Sequence, residues 1–271
     1  MSEKVLTKTT AELYKDGWVK AELTLTDESI TIGTEKVTIR EIEDLELVEV
    51  DSSQAIRIKK GGDIVFRVPG KLQSQIFRFL AFNLKSDRFA VYFLSPATRG
   101  GVVVTNVKWE KGYLSITDEA VWFLSPNKQL RISFDNLGSV DKDVRTVGGK
   151  QRVVLVIAHV EKGEVLTSLV LCPETTLEML EHYLKQLIEK YKPKSELSDV
   201  EIQIATLIYS GVDSVSIESI LGISTDELDK YFDKLVDLGL ARVVKIRKEL
   251  ELTPKGVAVV SEAQKSQNIM R

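Results

Sequence analysis

The sequence predicts an α+β protein: two successive antiparallel β units, each closed by a helix, followed by a smaller module of helices with one β hairpin. Three observations lead there. Residues 18–28 (WVKAELTLTDE) return as residues 109–119 (WEKGYLSITDE), so that Trp18, Lys20, Leu23, Thr26, Asp27 and Glu28 recur as Trp109, Lys111, Leu114, Thr117, Asp118 and Glu119. Around both copies apolar and polar residues alternate, the mark of antiparallel sheet with one buried face. From residue 197 onward the pattern changes to helical spacing with capping signals.

The elements follow in order. In the first copy Leu23-Thr24-Leu25-Thr26 and Ile30-Thr31-Ile32 alternate as strands, and Ile42-Glu43-Asp44-Leu45 answers to Phe134-Asp135-Asn136-Leu137 in the second. Each copy then shows a strand–turn–strand pattern, with turns at Lys60-Gly61-Gly62-Asp63 and Glu161-Lys162-Gly163-Glu164. A proline, Pro69 or Pro173, precedes a helical pattern in each. The spacing of the copies suits a duplicated domain and is too long for a solenoid repeat. In the first helix, near Gln73–Leu84, Ile76, Phe77, Leu80 and Leu84 form the core arc, whereas Phe79 and Phe82 fall on another face. Those two aromatics are expected to pack against the other unit or to mediate self-association as a homodimer. The second helix is expected to start at a capping box, Thr175 with Glu178, and to bury Leu177, Leu180, Leu184, Leu187 and Ile188. Several antiparallel strands closed by one C-terminal helix describe a pleckstrin-homology-like unit, here in tandem over residues 1–100 and 101–192.

A proline among lysines and serine, Tyr191-Lys192-Pro193-Lys194-Ser195-Glu196, marks the linker to a third domain, 193–271. Ser198 with Glu201 opens a helix through Tyr209; a short helix spans Ser216–Leu221; Gly222-Ile223 makes a tight turn. Ser224, boxed by Glu227, opens a longer helix that is expected to turn Leu228, Phe232, Leu235 and Leu238 inward and to stop at Gly239. Ala241–Ile246 and Glu249–Leu252 read as a charged hairpin, and Thr253-Pro254 starts a last helix. Helix, helix-turn-helix, β-wing and helix make a winged helix.

Composition narrows the function. Charged residues at 28% and hydrophobic residues at 43% are ordinary for a globular chain, and the net charge of −3 supplies no bulk attraction to nucleic acid or membrane. The longest stretch without charge, Ile202–Val212, is far below the roughly 18 apolar residues of a membrane span. No apolar signal segment follows the N-terminus, so a cytoplasmic protein without membrane insertion is expected. Cys172 is the one cysteine, which rules out an intrachain disulfide and multi-cysteine zinc motifs. His159 and His182 lack partners at triad or metal-ligand spacing, and Gly148-Gly149-Lys150 reads as a hairpin turn rather than a phosphate loop. No catalytic residue, metal or cofactor is expected. A DNA-binding regulator is the alternative that a winged helix suggests. However, residues 197–271 carry nine Lys/Arg against twelve Asp/Glu, and the would-be recognition helix sets Asp226, Glu227, Asp229, Asp233 and Asp237 against Lys230 and Lys234. Phosphates would repel that helix. The basic wing residues Arg242, Lys245, Arg247 and Lys248 are diluted by Glu249 and Glu251.

The paired WxKxxLxxTDE motifs, the order of domains and the LTPKG turn (Leu252–Gly256) into the last helix resemble the archaeal chemotaxis protein family CheF. The resemblance implies an adaptor linking the phosphorylated response regulator CheY, and CheC- and CheD-type regulators, to the cytoplasmic switch proteins of the archaellum motor. Residues expected to bind the regulator lie in the third domain. Val257 and Val260 sit on one side of the last helix and Val259 on another, and the helix trails into Gln264, Lys265, Ile269, Met270 and Arg271. Asp226 and Glu227 belong to a run, Ile223–Phe232 (ISTDELDKYF), similar to the short CheY-binding peptide of the bacterial flagellar switch. The same run also serves as helix cap and core.

Overall fold

The computed structural model describes residues 3–161, 163–191, 197–245 and 249–269, and of Lys245, Glu249 and residues 264–269 the backbone alone. The chain is α+β, built on two large antiparallel sheets.

The first copy runs β1 (Val5–Tyr14), β2 (Trp18–Thr26), β3 (Ser29–Ile32), β4 (Glu35–Thr38), a 3₁₀ turn (Ile39–Glu41), β5 (Asp44–Val50), β6 (Ser53–Lys59), β7 (Asp63–Arg67) and α1 (Lys71–Asn83). The second runs β8 (Asp87–Arg99), β9 (Val102–Val103), β10 (Glu110–Ile116), β11 (Ala120–Leu124), β12 (Gln129–Ser133), a 3₁₀ turn (Phe134–Asn136), β13 (Leu137–Val147), β14 (Lys150–Glu161), β15 (Glu164–Leu171) and α2 (Glu174–Tyr191). The strand orders are β4-β3-β2-β1-β7-β6-β5 and β12-β11-β10-β8-β15-β14-β13, with β9 added beside β8. Matched strand for strand, these are one topology twice.

The repeated TDE motif has a local reason. Thr26 Oγ1 accepts from the N–H groups of Glu28 (3.2 Å) and Ser29 (2.8 Å), and Thr117 Oγ1 accepts from Glu119 (3.4 Å) and Ala120 (3.1 Å). A threonine hydroxyl therefore closes the β2–β3 turn and its counterpart, β10–β11, as an ST-turn does. Gly148 and Gly149, at φ 59° and 76°, make the two-residue turn between β13 and β14. Both positive φ values belong to the turn type that such hairpins favour.

The chain divides into two compact units, residues 1–91 with 111–131, and residues 92–110 with 132–271. The β10–β11 hairpin of the second copy belongs to the first unit. Its Ala120, Trp122 and Leu124 are buried in one core with Leu23, Ile30, Ile56 and Phe66 and with Ile76, Phe77, Leu80 and Ala81 of α1. Trp122 is 1% exposed, with its ring centroid 6.0 Å from that of Phe77. Within the same unit Arg131 reaches Asp44 with two nitrogens (2.9 and 2.5 Å) and Glu46 with a third (2.6 Å), and Glu46 in turn meets Arg57. This fork-on-carboxylate geometry is among the stronger ionic contacts proteins make.

In the second unit Leu177, Leu180 and Leu184 of α2 are buried as the stripe predicts, with Leu187 and Ile188 half-buried. The helix begins at Glu174, ahead of the expected cap at Thr175. The Pro173 carbonyl takes the first helical bond, from Leu177 N–H at 2.9 Å.

Candidate partner-binding surface

Beyond residue 197 the chain forms α3 (Asp199–Tyr209), α4 (Ser214–Leu221), α5 (Thr225–Asp237), the hairpin β16 (Ala241–Lys245) and β17 (Glu249–Leu252), and α6 (Pro254–Ile269). Local chemistry sets each start. Ser198 and Glu201 make a reciprocal capping box on α3. Asp213 caps α4 by accepting from Ser216 N–H at 2.9 Å, and Ser224 caps α5 by accepting from Glu227 N–H at 3.3 Å. Gly222, at φ 66°, supplies the left-handed residue that ends α4. The core joins Ile204, Ala205 and Ile208 of α3, Ile217 of α4, Leu228, Phe232 and Leu235 of α5, and Leu240, Leu252, Val257 and Val260.

Leu238, expected inward, is instead 37% exposed. Leu238, the cap residue of α5, keeps helical geometry, with its N–H on the Lys234 carbonyl, but falls off the arc of Leu228, Phe232 and Leu235, and Leu240 enters the core.

The outward side of α5 is acidic. Asp226, Glu227, Asp233 and Asp237 are exposed. Of its two lysines, Lys234 is held by Glu201 of α3 at 2.6 Å. Burial works against the charge on Glu201, which is 4% exposed, but hydrogen bonds from Lys234 and from the backbone and hydroxyl of Ser198 outweigh it and lower its pKa. Spending Lys234 internally leaves the remaining surface of α5 more negative. Beside it α4 exposes two large aliphatics, Val215 (71%) and Ile220 (60%). Sequence reasoning missed this pair. The signal was present, since both residues lie off the face that Ile217 turns to the core.

The residues expected to bind a partner separate into groups. Asp226 and Glu227 lie exposed at the start of α5. Val257 (6%) and Val260 (1%) are buried in the core and hold α6 in place. The second apolar face of α6 also has a covering within its own unit. α6 packs on α3 and β17 on one side and on β13 and the Phe134–Asn136 turn on another, with Lys255 3.4 Å from Asp135. A helix lying between two layers needs apolar residues on two faces. Gln264, Lys265 and Ile269 belong to α6 by their backbone, their side chains being outside the described residues, as are Met270 and Arg271 altogether. Phe79 and Phe82 of α1 are half-buried and pack against the first core.

Other reactive groups are in structural positions. His159 Nε2 lies 2.9 Å from Ser168 Oγ, which donates to Ser95 Oγ at 2.7 Å, and all three residues are buried. Burial pushes the Cys172 thiol up to about 11, away from reactive thiolate chemistry. Among the described residues no three His, Cys, Asp or Glu side chains gather as a metal site, and no helix is long and apolar enough to cross a membrane.

Comparison with known proteins gives a family. The C-terminal module, residues 196–265, matches a domain of unknown function, DUF8579. The chain is 23% identical over 258 residues, 91% of its length and 89% of the relative's, to Taxis protein CheF1 of Halobacterium salinarum. Residues 20–190, which span the first motif from Lys20 onward and the whole of the second, match the model of Archaeal Chemotaxis signal transduction system protein F. With well over half its length inside that model, the chain belongs to the CheF family of archaeal chemotaxis signal transduction.

Proposed function

We propose that the chain is a non-enzymatic adaptor. It receives the phosphorylated response regulator CheY, together with CheC- and CheD-type regulators, and passes the signal to the archaellum switch proteins at the motor's cytoplasmic face. In this reading residues 1–100 and 101–192 are pleckstrin-homology-like domains and residues 193–271 a winged helix. Two findings support that division: the strand order repeats in full, and the two family matches meet between residues 190 and 196. The copies also associate as a homodimer through the α1 face that carries Phe79 and Phe82.

The observation that carries the adaptor reading is the surface of α4 and α5. α4 exposes Val215 and Ile220, and the neighbouring α5 exposes Asp226 and Glu227, so this part of the module offers both apolar and acidic side chains of the kinds that protein partners use. The same acidity argues against DNA, whose phosphates α5 would repel.

Calorimetry on the full chain tests the reading. Beryllofluoride-activated CheY should bind more tightly than the unactivated form, within the 5- to 150-fold of ordinary coupling, roughly 1–3 kcal/mol. Asp226→Lys/Glu227→Lys, or removal of residues 264–271, should weaken that binding at least tenfold. Equal affinity for both forms of the regulator, or indifference to both changes, removes this assignment.

A further inference from the structure

The β13–β14 hairpin runs out beyond its own sheet. β14 meets β15 only from Leu155 onward, so residues 150–154 extend past that neighbour by about 17 Å at roughly 3.3 Å per residue, and β13 on the other side is an edge strand. Over residues 144–153 all but half-buried Val147 are exposed. The matching β5–β6 hairpin of the first copy is shorter. There β6 meets β7 from Ile56, residues 53–55 alone reach past it, and the tip carries Glu49 and Asp51 with no base. The duplicated fold therefore requires neither the length of the second ribbon nor its charge.

The two faces of the ribbon differ. Successive side chains of a strand point to opposite sides. Val144 and Val153, opposite each other and 56% and 38% exposed, thus share one face with Thr146 and Gln151. The other face sets Arg145 directly opposite Arg152, with Lys150 two residues along. Asp143 takes one nitrogen of Arg145 at 2.7 Å, whereas Arg152 and Lys150 have no carboxylate partner among the described residues. Like charges directly opposite each other weaken a ribbon. A free edge is commonly guarded by a charged side chain, yet that purpose does not require two cations to face each other. A carboxylate set between Arg145 and Arg152 accepts from both guanidinium groups and replaces the repulsion with charge-assisted hydrogen bonds.

We propose that the cationic face of the β13–β14 ribbon is a docking site for an acidic segment of a protein partner, whose carboxylates sit between Arg145 and Arg152 and against Lys150. Charge nearby decides which anion fits. At the base of the ribbon Glu178 and Glu181 of α2 hold Lys142 at 3.7 and 2.9 Å, and Glu174 acts on the same charge. A long polyanion such as duplex DNA, tracking the ribbon, runs onto these carboxylates, whereas a short acidic segment ends at the tip. Val144 and Val153 on the opposite face give a folded partner apolar surface to cover and offer nothing to a phosphate backbone. The site shares no residue with the α4 and α5 surface and is of opposite charge, so it stands or falls independently of that reading.

Fluorescence anisotropy on the full chain tests the site, with a labelled peptide of about twelve residues alternating Glu and Thr, at about 50 and about 500 mM salt, where the screening length falls from roughly 14 to 4 Å. The peptide should bind at low salt and weaken at least tenfold at high salt. Arg145→Thr/Arg152→Thr should weaken it at least tenfold at low salt while melting no lower than the wild type, because it removes a like-charge pair and keeps strand-forming side chains. Arg145→Lys/Arg152→Lys should keep most of the affinity, and Lys71→Glu/Lys85→Glu, which changes exposed cations at the ends of α1, should leave it unchanged. No binding of the peptide at low salt, or an equal loss in the α1 variant, overturns the site. A duplex DNA of the same charge that binds tighter than the peptide, with the same dependence on Arg145 and Arg152, overturns the choice of a protein partner. A double threonine variant that melts below the wild type assigns the arginine pair to the fold and overturns its docking role.

Discussion

The two sheet copies share a strand order, a 3₁₀ turn, a threonine-closed hairpin and a closing helix after a proline, yet they differ at several positions whose side chains meet something beyond their own strand. At the position matching Thr31, half-buried on β3, the second copy has fully buried Trp122. Where Glu12 faces Arg67 across β1 and β7, Tyr92 faces Leu171 across β8 and β15. Where the first copy has Asp44, bound to Arg131, the second has Asn136. α1 carries no acid, whereas α2 carries Glu174, Glu178, Glu181 and Glu189. Strand pairing depends on alternation and turn geometry, which tolerate many outward side chains, so a duplicated sheet keeps its topology while its surfaces take separate jobs.

Exchanging residues between the copies puts that separation to the test, and the largest effect belongs to Trp122. Trp122→Thr gives β11 the residue of β3 and should lower unfolding free energy by about 3–5 kcal/mol in urea titration. Trp122→Phe sharpens the point: the buried indole N–H has no hydrogen-bond partner among the described residues, so losing it should cost under about 1.5 kcal/mol. A loss from Trp122→Thr below that of Trp122→Phe would show that the first core does not need the β10–β11 hairpin.

Asp44→Asn, the residue of the second copy, removes the charge that faces Arg131 with two nitrogens. A hydrogen-bonded charged group of this kind is worth about 1.5–3 kcal/mol, and the same titration reads it. Arg131→Ala should match or exceed the loss. If neither exceeds a few tenths, the fork is a surface contact only.

Arg67→Leu takes away both the Glu12 partner at 2.6 Å and the guanidinium 4.2 Å over the Trp18 ring. The expected loss is about 1 kcal/mol. The double exchange Glu12→Tyr/Arg67→Leu, which installs the second copy's pair, should recover most of it by cross-strand packing. An additive double variant would mean that the two positions do not interact.

The smallest expected effect is one of pH and separates the helical module from the sheets. Glu201 has a folded pKa below its unfolded value of about 4.3, so its stabilisation is complete above that pH and lost as pH falls through the folded value. Glu201→Gln should flatten this acid limb, followed by helical circular dichroism between about pH 5 and 2. Glu3, drawn down to about 2 by Lys36, Ser29 and Thr26, and Glu41, lowered by Lys60, should keep their acid sensitivity in the first unit after the substitution. An unaltered acid limb in the variant would exonerate Glu201.

What the sequence by itself determined is local or periodic. Alternation with a period of two marks the strands from Leu23 to Ile32 and their counterparts, because one face of each is buried and the other is not. The TDE repeats are turns because the threonine hydroxyl, two or three residues away, suffices to close them. The caps at Ser198, Ser224 and Thr253 are likewise read from neighbours within a turn. Tertiary structure decided what depends on residues distant in the chain. Val259 looks in sequence like part of a free docking face, yet it packs against the core of the helical module, and β13 and the Phe134–Asn136 turn, more than a hundred residues earlier, also lie against α6. Trp122 looks like one more strand residue until α1, more than thirty residues before it, brings Phe77 against its ring. Leu238 keeps helical geometry but lies off the arc of Leu228, Phe232 and Leu235, and Val215 and Ile220 remain outside because Ile217 and Leu221 are the α4 side chains that meet the core. Hydrophobic burial responds to total shape rather than to sequence distance, so spacing can say that a face is apolar but not what comes to cover it.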